Sequence, residues 1–303
     1  MRATAGRRRR YSILTRRDKL TMALMVGIPT FLCLFFIWFP TILSFFLSFT
    51  NWQGYDALTA KNFVGLKNYE NLLTSYPFFW PAVQHNVLWL LVFVFFATPM
   101  GIFLAVLLDR EMRGTRLYQS AFFLPVVLSL ALIGFIWQLM YAPDGLINGL
   151  LGRTGGNPID FLGDPSINIW AVLVAASWRH AGYVMVLYLA GLKSVDPTLR
   201  EAAALDGANA RQTFFRVIFP VMRPINIVIV VVTVIESLRA FDIVYIINQG
   251  KNGLELLSVL ITNTSIGEAQ LLGFGSAIAV ILMLVSLVPI VIFLTRTMRE
   301  DAG

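Results

Sequence analysis

Six stretches of this 303-residue chain are each apolar for long enough to cross a bilayer: residues 20–49, 84–108, 119–141, 167–192, 225–248 and 273–295. Roughly 20 helical residues cover the ~30 Å of hydrocarbon. Lipid offers no partner to a free backbone N–H or C=O, so such runs must be helices. Only 14% of the residues are charged, against roughly 25% in soluble domains. The sequence therefore predicts an all-α integral membrane protein with six transmembrane helices. Pro29, Pro40, Pro99, Pro125 and Pro289 fall inside these runs and mark candidate kinks. Neighbouring groups in a membrane can re-satisfy the carbonyls they free.

The basic residues set an expected orientation. One set of termini and loops holds Arg2, Arg7 to Arg10, Arg16, Arg17, Lys19, Arg110, Arg113, Arg116, Lys193, Arg200, Arg211, Arg216, Arg223, Arg296 and Arg299. The alternate loops hold only Lys61, Lys67, Arg153 and Lys251. Lys and Arg accumulate on the cytoplasmic side of membrane proteins. The expectation is a multi-pass protein with both termini cytoplasmic, divided into a basic tail (1–19) and a transmembrane domain (20–303). The tail resembles the charged start of a signal peptide, but the following run exceeds the roughly 7–15 residues of a signal core. We read it as a retained first helix. The tail suits anionic lipid headgroups better than nucleic acid. Trp52, Trp80, Trp170 and Tyr141 fall near the expected outer boundaries, where an aromatic belt would sit.

Several chemistries have no residues to carry them. The chain has one cysteine, Cys33, and two histidines, His85 and His180. That gives no CxxC or HExxH metal pattern, and no clustered catalytic set. The Walker A pattern GxxxxGK[ST] is also missing, so an ATP-driven process would need its nucleotide on another subunit. The expectation is a non-enzyme, with no cofactor or metal in this chain.

Between the fourth and fifth runs lies a moderately polar, helix-prone loop, residues 193–224, containing EAAALDGANARQTFFRVIFPVMRP. Asp196 can cap a helix whose first position is Pro197. Residues 199–205 have high helix propensity, and Gly207 can take the left-handed conformation that ends such a helix. A second helical stretch, 210–219, leads to Pro220. The pattern EAA, three residues, Gly, nine residues, apolar-x-apolar-Pro resembles the signature loop of ABC transporter permeases, the membrane subunits of bacterial binding-protein-dependent importers. Glu201, Ala202, Ala203, Gly207, Val217, Phe219 and Pro220 carry it.

Asp206-Gly207-Ala208 and Arg223-Pro224 resemble the carbohydrate-importing branch. So do Phe39-Pro40 with Leu47-Ser48-Phe49-Thr50, the run Val64-Gly65-Leu66-Lys67-Asn68-Tyr69, Ala190-Gly191-Leu192, and Phe241-Asp242-Ile243-Val244-Tyr245. Residues 248–253, NQGKNG, replace the branch's common Thr-x-Gly-Gly-Pro turn and leave the solute subclass open. The resemblance implies that Glu201, Ala202, Ala203, Asp206 and Gly207 couple the pore to an ATPase. It also implies a second homologous permease, two ATPase subunits carrying ATP and Mg, and an extracytoplasmic binding protein that delivers a sugar-like solute.

Charges inside the runs are candidates for the pathway. Glu236, Arg239 and Asp242 sit within seven residues of the fifth run, and Arg179 lies beside His180 in the fourth. Each charge costs at least about 2.5–3.5 kcal/mol near the bilayer centre. On one continuous helix the three would share a face as i,i+3 pairs. They would then line a polar route, with Tyr245, Phe241, Trp178, Tyr183 and Tyr188 as aromatic faces, or form a structural ion cluster. A self-contained proton-coupled transporter using Glu236 or Asp242 is the alternative.

Overall fold

The computed structural model describes residues 15–110, 114–153, 156–267 and 270–300. Arg2, Arg7 to Arg10 and Arg113 lie outside the described residues. Helices account for nearly all regular structure, and no strand occurs among the described residues beyond an isolated antiparallel bridge between Thr50 and Phe63. Five helical stretches are long and apolar enough to cross a membrane alone: Arg16–Leu47, Phe79–Leu108, Leu130–Leu150, Asn168–Ser194 and Leu272–Val291. A sixth is a bent pair, Ala210–Val221 with Arg223–Asn248, turning by 78°.

The fourth span, Asn168–Ser194, is the axis of the fold, with 61% of its most apolar stretch buried. Its neighbours come close because small residues let them. A Cβ added at Gly101 of the second span would lie 2.6 Å from the Ala181 carbonyl oxygen. One added at Gly182 would lie 2.4 Å from that of Phe122. Small residues at helix contacts are how membrane helices gain packing without a hydrophobic driving force.

Three prolines are handled by one device. Single wide turns at Leu34–Trp38, Phe93–Ala97 and Phe214–Ile218 each end two residues before a proline, at Pro40, Pro99 and Pro220. Phe39, Thr98 and Phe219 donate their N–H groups to the carbonyls five residues back, of Leu34, Phe93 and Phe214. A proline lacks the N–H for the bond to residue i−4 and collides with that carbonyl. A π turn just before it widens the helix without ending it. Pro29, Pro125 and Pro289 lie inside ordinary α-helix instead.

Two expected spans are broken. The third consists of Thr115–Val127 and Leu130–Tyr141, separated where Leu128 is extended and the Ser129 hydroxyl accepts the N–H of Leu132 at 3.2 Å. The fifth stops at Leu238 and restarts as Asp242–Asn248. The stretch between the fifth and sixth runs, expected as loop, contains the helix Leu257–Ser265, with Leu257, Val259, Leu260 and Thr264 buried. Its first N–H is held by Asn86 Oδ1 at 2.9 Å, and it packs with Leu72, Phe79, Ala82 and Ile278. Asn68, in the VGLKNY run, donates Nδ2 to the carbonyls of Ser48 and Thr50 at 2.8 and 2.7 Å. Tyr69 donates its hydroxyl to Ser48 Oγ at 2.7 Å. That run therefore closes the end of the first span. Trp80 and Trp170 are exposed as an interfacial belt requires, but Tyr141 is buried and bonds the Ala171 carbonyl at 2.9 Å.

Candidate functional site

The loop helix runs Pro197–Leu205 and is bounded by local chemistry at both ends. Asp196 accepts the Thr198 N–H at 2.9 Å. This bond holds its carboxyl below the usual carboxylate range. At the other end Gly207 takes φ +78°. Its N–H bonds the Ala204 carbonyl at 3.1 Å, and the Ala208 N–H reaches the Ala203 carbonyl at 3.0 Å. This pair of bonds is a Schellman closure, which depends on a residue tolerant of left-handed backbone. Asn209 and Gln212 then form a capping box for Ala210–Thr213.

One face of this helix is anchored and the other is bare. Ala203 is buried, and Leu199 packs on the cluster of Tyr188, Leu192 and Met222. Glu201, Ala202, Ala204, Asp206 and Gly207 are exposed, and Leu205 is 89% exposed.

The anchor is a residue that the sequence reading missed. Asp109, just past the second span, bridges Arg200 at 2.7 Å and Lys193 at 3.1 Å, and its side chain is only 10% exposed. It ties the loop helix to the ends of the second and fourth spans. The available signal was an acid closing an apolar run beside basic residues, Arg110 and Arg113.

The second constellation lies within the spans. Arg179, His180, Glu236, Arg239, Phe241 and Asp242 all line one cavity of about 110 Å³. The expected pairs within the fifth run do not form, because the helix has ended: Arg239 has φ −89°, ψ 5° and Phe241 has φ −142°, ψ −61°. Glu236 instead meets Arg179 of the fourth span at 3.4 Å. The Ala240 carbonyl, freed by the break, accepts the Ser258 hydroxyl from the Leu257–Ser265 helix. Tyr245 is outside the lining and stacks on Phe241 at 4.9 Å. Tyr188 is fully buried in the loop-end cluster, and Trp178 packs edge-on against Trp137.

A buried triad backs the cavity. His180 Nε2 and Thr98 Oγ1 each lie 3.1 Å from Thr233 Oγ1, joining the second, fourth and fifth spans. Phe93, in the π turn, stacks on the His180 ring at 4.3 Å. Arg179 Nε and Trp89 Nε1 are buried without a partner among the described residues, although both side chains line the cavity. Among the described residues no group of acidic, His or Cys side chains is arranged to hold a metal.

These features define a multi-pass helical membrane protein with a polar mid-span cavity and an exposed, rigidly mounted loop helix. The chain matches the binding-protein-dependent transport system inner membrane component family over residues 4–299, and it belongs to that family. A probable ABC transporter permease of Pyrococcus horikoshii is 32% identical over 267 residues, covering 86% of this chain and 89% of the relative. The xylose/arabinose import permease of Haloferax volcanii is 32% identical over 265 residues, covering 86% and 83%. In solved structures, a chain of a bacterial ABC transporter that imports the acidic polysaccharide alginate shares the fold at TM-score 0.78. It is 21% identical, with 94% of this chain and 96% of that one covered. The chain is a transport subunit and not an enzyme.

Proposed function

We propose that this chain is one half of the translocation pathway of an ATP-driven importer for a sugar or sugar-like solute. Support for the solute class comes from the pentose-importing relative and from the lining, where charged forks and an aromatic face suit hydroxyl groups. In this reading both termini and the loop helix are cytoplasmic, in keeping with the distribution of Lys and Arg. A second homologous permease completes the pore, two ATPase subunits bind ATP and Mg, and an extracytoplasmic binding protein delivers the solute. Pairing of Glu236 with Arg179 and membership of a binding-protein-dependent family leave the proton-coupled alternative without support.

The observation that carries the reading is the mounting of the Pro197–Leu205 helix. It is capped at both ends, tied by Asp109 to two spans, and bare on the other face. Such a helix moves as a unit and passes its motion to the second and fourth spans. Those spans hold Thr98 and His180 behind the cavity. A pocket for a small molecule is typically about 300–1,000 Å³, so the 110 Å³ cavity is closed to a sugar. ATP-driven closure of the ATPase would displace the loop helix, part the fourth and fifth spans, and open Arg179, Glu236, Arg239 and Asp242 to solute.

Cysteine crosslinking tests the contact. Leu205→Cys in the Cys33→Ser background should crosslink to the ATPase subunit in the assembled transporter, with a yield that changes on adding ATP and Mg. A yield of zero in every nucleotide state would remove the coupling role. The solute is found by measuring the binding protein's affinity across neutral sugars, polyols and uronates.

A further inference from the structure

A groove of about 570 Å³ runs between the second span and the segment that follows the loop helix. Phe103, Phe214, Phe215 and Phe219 line it together with Arg110 and Arg211. Phe103 and Phe215 are 64% and 58% exposed. Among the described residues no acidic side chain lines it. Arg110 and Arg211 make no ion pair among the described residues, unlike Arg200 and Lys193, which share Asp109. Arg110 lies two residues beyond Leu108, where the second span ends, and Arg211 is the second residue of the helix that turns into the fifth. The two cations therefore flank helix ends, while Phe103 lies within the second span.

We propose that this groove is a binding site for an anionic phospholipid. Its phosphate would sit between Arg110 and Arg211, and one acyl chain would lie along Phe103, Phe215 and Phe219. Charge complementarity selects the occupant: two guanidiniums that line one groove, with no ion pair among the described residues, suit phosphate oxygens. The apolar continuation suits an acyl chain and excludes free phosphate as the better ligand. Basic pockets at the cytoplasmic ends of spans hold anionic headgroups for these reasons. Arg211 and the π turn Phe214–Ile218 lie between Gly207 and the fifth span. A bound lipid would brace the connection through which loop-helix motion reaches the cavity. The site holds whichever solute is carried.

The test is photocrosslinking of the full assembly in nanodiscs with phosphatidylglycerol bearing an acyl-chain diazirine. Label should map to residues 99–110 and 210–219. Unlabelled phosphatidylglycerol should compete and phosphatidylcholine should not. At about 1 kcal/mol per basic residue, Arg110→Gln with Arg211→Gln should weaken competition by about 30-fold. The paired Lys replacements should retain most of it, which separates lost charge from lost fold. Equal labelling by a phosphatidylcholine probe would overturn the proposal, as would labelling that the Gln pair leaves unchanged. Displacement by inorganic phosphate alone would make it a free-ion site and also overturn it. So would absence of label at these residues, with the second permease crosslinking there instead.

Discussion

The first and fourth spans are both helices long enough to cross a membrane, and they behave as opposites. The first, Arg16–Leu47, is the more apolar, yet none of its most apolar stretch is buried. It touches the rest of the chain mainly near Leu47, against the last span. The fourth is less apolar and is buried on most sides, with Ser177, His180, Gly182 and Gly191 among its buried residues. In a soluble protein the greasier helix would be the core. In lipid the greasier helix is the one facing lipid or another chain. The core helix carries the small and polar residues that let neighbours approach and hydrogen-bond. Arg179, which meets Glu236 of the fifth span, and Lys193, which shares Asp109 with the loop helix, both belong to the fourth span.

The comparison breaks most sharply through paired substitutions. Gly182→Leu should destabilise the protein by about 3 kcal/mol or more, because overpacking at a closed contact displaces backbone. Gly27→Leu in the first span, where an added Cβ meets nothing within 4 Å, should leave thermal stability in detergent unchanged. A comparable loss in both would mean that the first span is packed as tightly as the fourth.

Asp109→Asn should cost less, about 1–2 kcal/mol, because Arg200 and Lys193 are partly solvated while Asp109 is not. Its sharper readout is functional: ATP hydrolysis should persist while its stimulation by the loaded binding protein falls. Thr233→Val removes the group shared by His180 and Thr98 and should cost about 1 kcal/mol in denaturation experiments. The isosteric exchange leaves packing intact.

The smallest effect belongs to Asp196. Its carboxyl is held below its ordinary value of 3.8 by the Thr198 N–H, so the cap stabilises the loop helix whenever the carboxyl is ionised. That contribution is full above the unfolded-state value and disappears as pH falls through the lowered folded-state value. Asp196→Ala should therefore speed amide exchange in residues 198–201 at neutral pH. The difference from the unsubstituted chain should vanish in strong acid.

The spans and the loop helix were legible because their causes are local. Apolar length fixes a crossing, and Asp196, Pro197 and Gly207 fix a helix between them. The breaks were not legible. Nothing in Arg239-Ala240-Phe241 resembles a helix stop: there is no Gly and no Pro. The interruption is stabilised from elsewhere in the chain, by Ser258 on the Ala240 carbonyl and Arg179 on Glu236. The Leu257–Ser265 helix escaped notice because nine residues cannot span hydrocarbon, so an apolar-length criterion reads them as loop. Arg179, Glu236, Arg239 and Asp242 were identified as residues, but their grouping around one cavity follows from the break and not from a shared helical face.

The central claim is that the loop helix is a rigid lever closed at Gly207. It is tested most directly by uptake in liposomes containing the full assembly with Gly207→Pro. Proline cannot take φ +78° and has no N–H for the Ala204 carbonyl, so the Schellman closure is lost while the spans remain. The account predicts membrane-inserted, assembled transporter with ATP-dependent uptake reduced to background. Uptake at the unsubstituted rate would contradict it.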